Sequence, residues 1–229
     1  MGKHEIGVIM KPILFNTEMV QANLNGLKSA TRRVAFRNED LRKFPRHDNP
    51  DAWWFRGRAY PNWDSAMRSP QGVLSLCKYD KGDILYVRET WRVRNVYGDI
   101  ARGDRTAEIE FKAGGDTICV PAFGYTPSYG AWKPSIHMPK EAARLFLLVK
   151  NVRVCLLQDI DEEGAKAEGA NFCNGKHVSI EEKMRRSSVE RFADIWNSTI
   201  KPADIDLYGW YANPWVWVIE YERCEKPEV

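Results

Sequence analysis

Gly26-Leu27-Lys28-Ser29-Ala30-Thr31-Arg32-Arg33 stands at the corner on which the first part of the chain turns. Upstream of it, Asn16 or Thr17 can cap a helix, because either side chain accepts from the free N–H groups of a first turn. Glu18 falls in that turn, and Met19, Val20 and Leu24 supply the apolar positions. Asn25-Gly26 then stops the helix, glycine being the residue that most readily takes the left-handed conformation there. Thr31 to Phe36 returns as a short strand. Before the helix, residues 5–15 (EIGVIMKPILF) read as a strand, with Pro12 marking an edge or a bend. The beginning of the fold is therefore strand, helix, strand.

From Lys28 to Arg33 the chain gathers one amine, two hydroxyls and two guanidinium groups. A lysine with a threonine three residues on is an acyl-transfer pair: the amine takes or stabilises proton and charge while the hydroxyl attacks a carbonyl. Arg32 and Arg33 beside them suit a phosphate or a base edge. The plainer reading is a solvated basic turn. The end of a helix favours cations, which keeps Lys28 protonated unless burial opposes it.

Outward from this corner, residues 37–75 are polar, basic and aromatic, and Pro45, Pro50, Pro61 and Pro70 interrupt them. They read as an ordered insertion or lid with little regular structure, the kind of long loop that tends to be functional or mobile. Lys81-Gly82-Asp83 turns into a buried strand over 84–91 (ILYVRETW). Thr106 to Lys112 alternates as a half-exposed strand, followed by a Gly-Gly turn and a strand over 116–120. Residues 121–139, with four prolines, form another loop, and 145–157 are strand-rich. A short helix over 159–169 is capped by Asp161 and ended by Gly169. The clearest helix spans 179–199, with Ser179 as cap and Met184, Val189, Phe192, Ala193 and Trp196 as its apolar face. Trp215 to Tyr221 closes the chain as a strand. This order lacks the regular alternation of a parallel sheet. It predicts a β-rich α+β fold, a mostly antiparallel barrel with helices outside it, as one domain over 1–229.

With 229 residues the chain can bury a good core, and its net charge of +3 makes it no polycation. Affinity for nucleic acid must come from clustering. Seven Lys or Arg lie between Lys28 and Arg46, against Glu39 and Asp40, and Arg56, Arg58 and Arg68 extend the cluster. Five cysteines, widely spaced and never in a C-x-x-C pair, fit reduced thiols in a cytoplasm. No run approaches a membrane span and no signal peptide opens the chain, so no membrane partner is expected. Nine Trp and nine Tyr serve either core packing or base stacking.

Six segments carry a resemblance: KPILFNTEMV at 11–20, GLKSATRR at 26–33, KGDILYVRETW at 81–91, KPSIHMPKEAARLFL at 133–147, LQDIDEEGAKAEG at 157–169 and NPWVWVIEYER at 213–223. With them the chain resembles the ASCH-domain proteins of the PUA-like superfamily, in the longer form common in bacteriophages and prophages. The resemblance implies a small β-barrel with flanking helices, a cleft suited to a nucleobase or nucleotide, and the cytoplasm of a bacterial host. A short bacterial member with a similar pattern is an amidohydrolase that removes the acetyl group from N4-acetylcytidine. Its functional Lys and Thr, from a Gly-x-Lys-x-x-Thr turn, fall on Lys28 and Thr31, and its Glu falls on Glu168. The chain departs from that member in its insertions near 37–75 and 92–144, its doubled length, and Ser29 after the lysine. Many ASCH domains are thought to bind RNA without catalysis.

Thr31 as nucleophile, or as the residue that orients a water, would need Lys28 desolvated or beside a cation such as Arg32, since an ordinary lysine near ~10.4 is a poor base at neutral pH. Glu168 would pass the proton to the leaving amine, or be a solvated helix residue. Glu89 is a rival acid, or else an ion pair with Arg88, Arg92 or Arg33. Tyr86, Trp91 and Trp210 offer stacking faces or core. Arg32, Arg33, Glu89, Trp91 and Tyr86 form the expected substrate contacts. Cys173 and His177 have C-x3-H spacing with no second pair nearby, so no metal is expected. No phosphate loop, dinucleotide fingerprint or Gly-x-Ser-x-Gly elbow is present, and no cofactor is expected. The expected partner is a modified nucleoside or a single-stranded nucleic acid. Three readings remain open at this point: an enzyme, a non-catalytic binding module, and a phage assembly or host-interaction factor.

Overall fold

In a computed structural model the described residues are 10–227, apart from 44, 46, 70, 100, 101, 123, 124, 128–130 and 174. The part of the expected first strand before Met10, and Arg46 and Pro70, lie outside them. Strand β1 (Met10–Leu14) leads into helix α1 (Thr17–Leu24), which Asn16 caps by accepting from Met19 N at 2.8 Å. Strand β2 (Ala30–Phe36) follows. The insertion after it holds β3 (Leu41–Lys43), β4 (Trp53–Phe55), β5 (Arg58–Tyr60) and α2 (Trp63–Arg68). Then come β6 (Ile84–Arg88), β7 (Trp91–Tyr97), β8 (Thr106–Phe111), β9 (Ile118–Pro121) and the long β10 (Phe146–Leu156). The chain ends with α3 (Glu162–Ala167), a small hairpin of β11 (Phe172–Cys173) and β12 (Lys176–His177), α4 (Ile180–Arg185), α5 (Ser188–Thr199), α6 (Ile205–Tyr208) and β13 (Trp215–Cys224).

The fold is α+β and rich in antiparallel sheet. Its main sheet has the order β1-β6-β10-β13-β2, in which β1 and β6 run parallel and every other pair runs antiparallel. Among the described residues no ladder joins the edge strands β1 and β2, so backbone hydrogen bonds do not close the expected barrel. A side chain spans the gap instead. Arg33 Nη2, on β2, donates to Leu14 O on β1 at 2.7 Å, and its guanidinium lies 5.4 Å from the centroid of the Phe15 ring. Strand alternation splits the sheet between two cores. Trp217, Ile219 and Tyr221 of β13 pack with Ile13, Phe15, Leu85 and Leu147, while Val216 and Val218 face Leu157, Phe192 and Trp196 under the helices.

Three sequence expectations change. Residues 37–75 are not an irregular lid. Trp53–Tyr60 is a hairpin whose two-residue turn, Arg56-Gly57, has φ of +44° and +83°, the mirror-image turn that matches strand twist. Leu41, Phe55, Met67 and Val73 join the main core, and Trp63 lies 5.6 Å from Trp215. The aromatic load of this segment is therefore spent on packing the insertion against β13. Second, the expected strand over 84–91 changes sheets at Glu89-Thr90: β6 pairs with β1 and β10, and β7 pairs with β8. Third, the helix over 179–199 is two helices. Ser187 accepts from Glu190 N at 3.1 Å and Glu190 accepts from Ser187 N at 2.7 Å, a reciprocal cap that starts α5 afresh. Met184 is consequently exposed rather than part of the apolar face.

Candidate functional site

Two helix ends build the site. In both, a glycine N–H bonds back three residues and the next N–H bonds back five: Gly26 N to Asn23 O (3.0 Å) and Leu27 N to Ala22 O (2.8 Å) after α1; Gly169 N to Lys166 O (2.8 Å) and Ala170 N to Ala165 O (3.1 Å) after α3. This pattern needs a left-handed residue, and φ is +70° at Gly26 and +85° at Gly169. The ends abut. A Cβ on Gly169 would stand 3.2 Å from Ala22 Cβ and 3.5 Å from Lys28 Cβ. Ser29 N donates to Ala167 O at 2.8 Å and Tyr221 N to Ser29 O at 2.9 Å, which holds the turn between α3 and β13.

This packing brings Lys28 and Glu168 into contact across 140 positions of sequence. Lys28 Nζ donates to Glu168 Oε2 (2.8 Å), Glu168 O (2.8 Å) and Ala30 O (2.7 Å). Arg32 Nη1 donates to Glu168 Oε1 at 3.0 Å. The side chains of Lys28, Glu168 and Arg32 are 2%, 5% and 2% exposed. The solvated basic turn is thus excluded for Lys28 and Arg32, and the solvated helix residue for Glu168. Three acceptors match the three N–H groups of an ammonium, and two cations share one carboxylate. Burial pulls the pKa of Lys28 below the ordinary lysine range; the charge and hydrogen bond of Glu168 oppose the shift, and the charges of Arg33 and Arg32 add to it.

Thr31 is also buried, opposite Ile219 in the ladder between β2 and β13. Its hydroxyl makes no hydrogen bond to Lys28 or Glu168. Alternation puts Thr31 and Arg33 on one face of β2 and Arg32 on the other, in keeping with Arg33 over the Phe15 ring and Arg32 over the Phe192 ring. Arg33 opens into a cavity of about 460 Å³ lined also by Phe15, Tyr79, Thr90, Ser135 and Thr199. Lys28, Thr31 and Glu168 do not line it. Phe15 belongs to both places: it walls the cavity, and its ring centroid lies 5.5 Å from Lys28 Nζ.

The remaining expected contacts are elsewhere. Glu89 is 1% exposed and bound in two-pronged fashion by Arg144, Nε to Oε1 at 2.9 Å and Nη2 to Oε2 at 3.0 Å. Its partner is therefore none of the three arginines considered from sequence. Arg88 donates to Ile136 O, Arg92 to Glu110 at 2.8 Å and Arg33 to Leu14 O. Burial pushes the Glu89 carboxyl up, and Arg144 opposes it. Trp91 is buried, with Lys133 Nζ 5.0 Å from its ring centroid and Tyr125 edge-on to it, so it presents no free stacking face. Tyr86 is half-buried against the cluster that Trp91 forms with Val93, Ile109 and Phe111, and Trp210 meets Phe192 edge-on. The side chain of Cys173 lies outside the described residues. Sequence reading missed Phe15, Tyr79 and Arg144. Phe15 directly follows β1 and sits next to the capping Asn16, a position from which a side chain can turn inward. No helix among the described residues is long and apolar enough to cross a membrane.

Comparison with protein-family models, curated proteins and solved structures gives no match for this chain.

Proposed function

We propose that this chain is a hydrolase of the ASCH, PUA-like kind that removes the N4-acyl group, acetyl in the first instance, from a modified cytidine. Thr31 is the nucleophile, and Lys28 and Glu168 are the proton-transfer pair. The observation that carries this reading is the 2.8 Å contact between Lys28 Nζ and Glu168 Oε2, desolvated and three residues from Thr31. A low-dielectric site with a depressed amine beside a carboxylate can exchange a proton at little cost.

Thr31 Oγ1 attacks the acyl carbon, and its proton passes to the Glu168 carboxylate, which the Lys28 ammonium holds. Collapse of the tetrahedral intermediate breaks the bond from carbon to N4, and that proton goes to N4 to release cytidine. Water then cleaves the acyl-threonine ester, acetate leaves, and Thr31 regains its proton. The Phe15 ring, which touches Lys28 and walls the cavity, has to swing aside to admit the acyl group. The curled sheet whose edges Arg33 bridges supports the PUA-like assignment. The free thiols of Cys77, Cys119, Cys155 and Cys224 suit the cytoplasm of a bacterial host.

The test is incubation with N4-acetylcytidine, following cytidine by chromatography, beside Thr31→Ala, Lys28→Ala and Glu168→Gln. The expected loss in each variant is ~100-fold or more, with folding checked by circular dichroism. One observation favours a second reading, a non-catalytic binding module: each N–H of Lys28 and each carboxylate oxygen of Glu168 already has a protein partner, as a purely structural cluster requires. That reading predicts no cytidine release and oligonucleotide binding that falls steeply with salt.

A further inference from the structure

Arg33, like Arg88 and Arg191, has no carboxylate partner among the described residues, and of these three it is the one that lines the cavity of about 460 Å³. Arg32 pairs with Glu168, Arg144 with Glu89 and Arg92 with Glu110. Among the described residues half-buried Arg33 donates to two backbone carbonyls, Leu14 O at 2.7 Å and Arg32 O at 3.4 Å, and makes no ion pair. No Asp or Glu among the described residues lines the cavity. Its polar lining is the hydroxyls of Thr90, Ser135 and Thr199 with the Asn16 side chain, and Phe15 and Tyr79 give it aromatic walls.

We propose that this cavity takes a phosphate group on Arg33, so that the ligand is a phosphorylated nucleoside, free or within a strand, rather than the bare nucleoside. A half-buried guanidinium with no carboxylate beside it keeps N–H groups to offer, and a phosphate supplies both an opposite charge and the two-pronged acceptor that arginine fits best. The Thr90 and Ser135 hydroxyls can donate to the remaining phosphate oxygens, the Thr199 hydroxyl already donating to Trp196 O at 2.7 Å, and the aromatic walls suit the sugar and base. The Arg33 charge adds to the lowering that burial causes at Lys28, and it partly opposes the raising that burial causes at the Tyr79 and Tyr221 hydroxyls. Thr31 lies two residues along the same face of β2, about 7 Å away at strand rise, a spacing that a single nucleotide bridges. The proposal rests on the nucleoside reading above only for the identity of the base.

The experiment is calorimetric titration of the full chain at one fixed low salt concentration with four nucleosides, their 5′-monophosphates, and a short oligocytidylate. The parent is compared with Arg33→Gln, and Arg153→Gln serves as an exposed control. At least one monophosphate is expected to bind about tenfold or more tighter than its nucleoside, the size of one charge-assisted hydrogen bond. That advantage disappears in Arg33→Gln and persists in Arg153→Gln. Where Arg33→Gln does not fold, Arg33→Lys, which keeps the charge and loses the fork, is expected to retain only part of it. Tighter binding of the oligomer than of the monophosphate identifies a strand as the source of the phosphate, and the reverse identifies a free nucleotide. Equal affinity for nucleoside and monophosphate in the parent, an advantage unchanged in Arg33→Gln, or no binding of any monophosphate overturns the phosphate site. The two readings fail separately. An Arg33-dependent advantage confined to another base keeps the phosphate site and removes cytidine, whereas turnover of N4-acetylcytidine without any phosphate advantage does the opposite.

Discussion

Replacing Glu168 by Gln keeps the shape of the side chain and leaves Lys28 and Arg32 as two buried cations with no carboxylate between them. At 2.8 and 3.0 Å each lost contact is worth ~5–6 kcal/mol at an effective dielectric constant near 20. Desolvation offsets much of that, and removing one partner of a buried pair costs ~3–5 kcal/mol in practice. Glu168→Gln is therefore expected to lose about 3–5 kcal/mol at neutral pH. The loss should shrink as pH rises. Folded Lys28 already holds its proton less tightly than the unfolded chain does, so the unfolded state binds more protons between the depressed value and ~10.4, and stability rises with pH across that window. In the parent Glu168 opposes the shift. In the variant the opposition is gone, the folded value falls further, and the window opens towards neutral pH. The assay is urea denaturation of Glu168→Gln and of Lys28→Met/Glu168→Gln from pH 7 to 10, because the difference between them isolates Lys28. The single variant should gain on the double one by up to ~1.4 kcal/mol per pH unit. A difference that does not change with pH, or a neutral-pH loss in Glu168→Gln under ~1 kcal/mol, would refute the picture of a desolvated lysine held by that carboxylate.

Arg144→Met strands the Glu89 carboxylate and should cost ~3–5 kcal/mol at pH 7.5. Burial already raises the pKa of Glu89 and Arg144 restrains it, so without Arg144 the folded protein takes up a proton that the unfolded chain lacks above ~4.3; the loss seen by urea denaturation should be smaller at pH 5 than at pH 7.5. Gly169→Ala meets both a left-handed φ of +85° and Ala22 Cβ at 3.2 Å. It should lose ~1–3 kcal/mol and more than Gly57→Ala, which has φ of +83° but open space around it; equal melting points for the two would show that the helix ends give way. Ser187→Ala removes the cap that starts α5 and should lose ~1 kcal/mol by chemical denaturation.

The local signals at the corner of the chain were readable because each rests on one or two neighbouring residues. Asn16 caps α1, Gly26 stops it, Asp161 caps α3 and Gly169 stops it, all as side-chain and backbone chemistry dictates. Other local signals lost to stronger ones. Ser187-x-x-Glu190 is a capping box in plain view, but the apolar periodicity running from Met184 to Trp196 outweighed it. Arg56-Gly57 between aromatic residues is a hairpin turn, and four prolines around it suggested irregularity instead. The long-range partners were not legible at all. Nothing within ten residues of Glu89 points to Arg144, because that pair exists only once β6 and β10 lie side by side. The contact of Lys28 with Glu168 was suggested by resemblance to a family, since no spacing rule connects positions 140 apart. Trp91 shows the limit from the other side: composition allowed stacking or core, and only packing decides for core.

The charge imbalance of the octapeptide follows from the period of a strand. Lys28, Arg32 and Arg33 are three cations within six residues, and the fold brings them one buried carboxylate, Glu168. Consecutive residues of β2 point to opposite faces, so Arg32 can reach Glu168 from the helix side while Arg33 is carried into the cavity. Both arginines cannot share that carboxylate without breaking the ladder to β13. Arg33 is thus left uncompensated by geometry, and its field still acts on Lys28. An anion in the cavity cancels that field and raises the proton affinity of the amine behind Phe15. Anion binding beside Arg33 would thus make a small addition to the larger effects of burial and Glu168 on how readily Lys28 holds its proton.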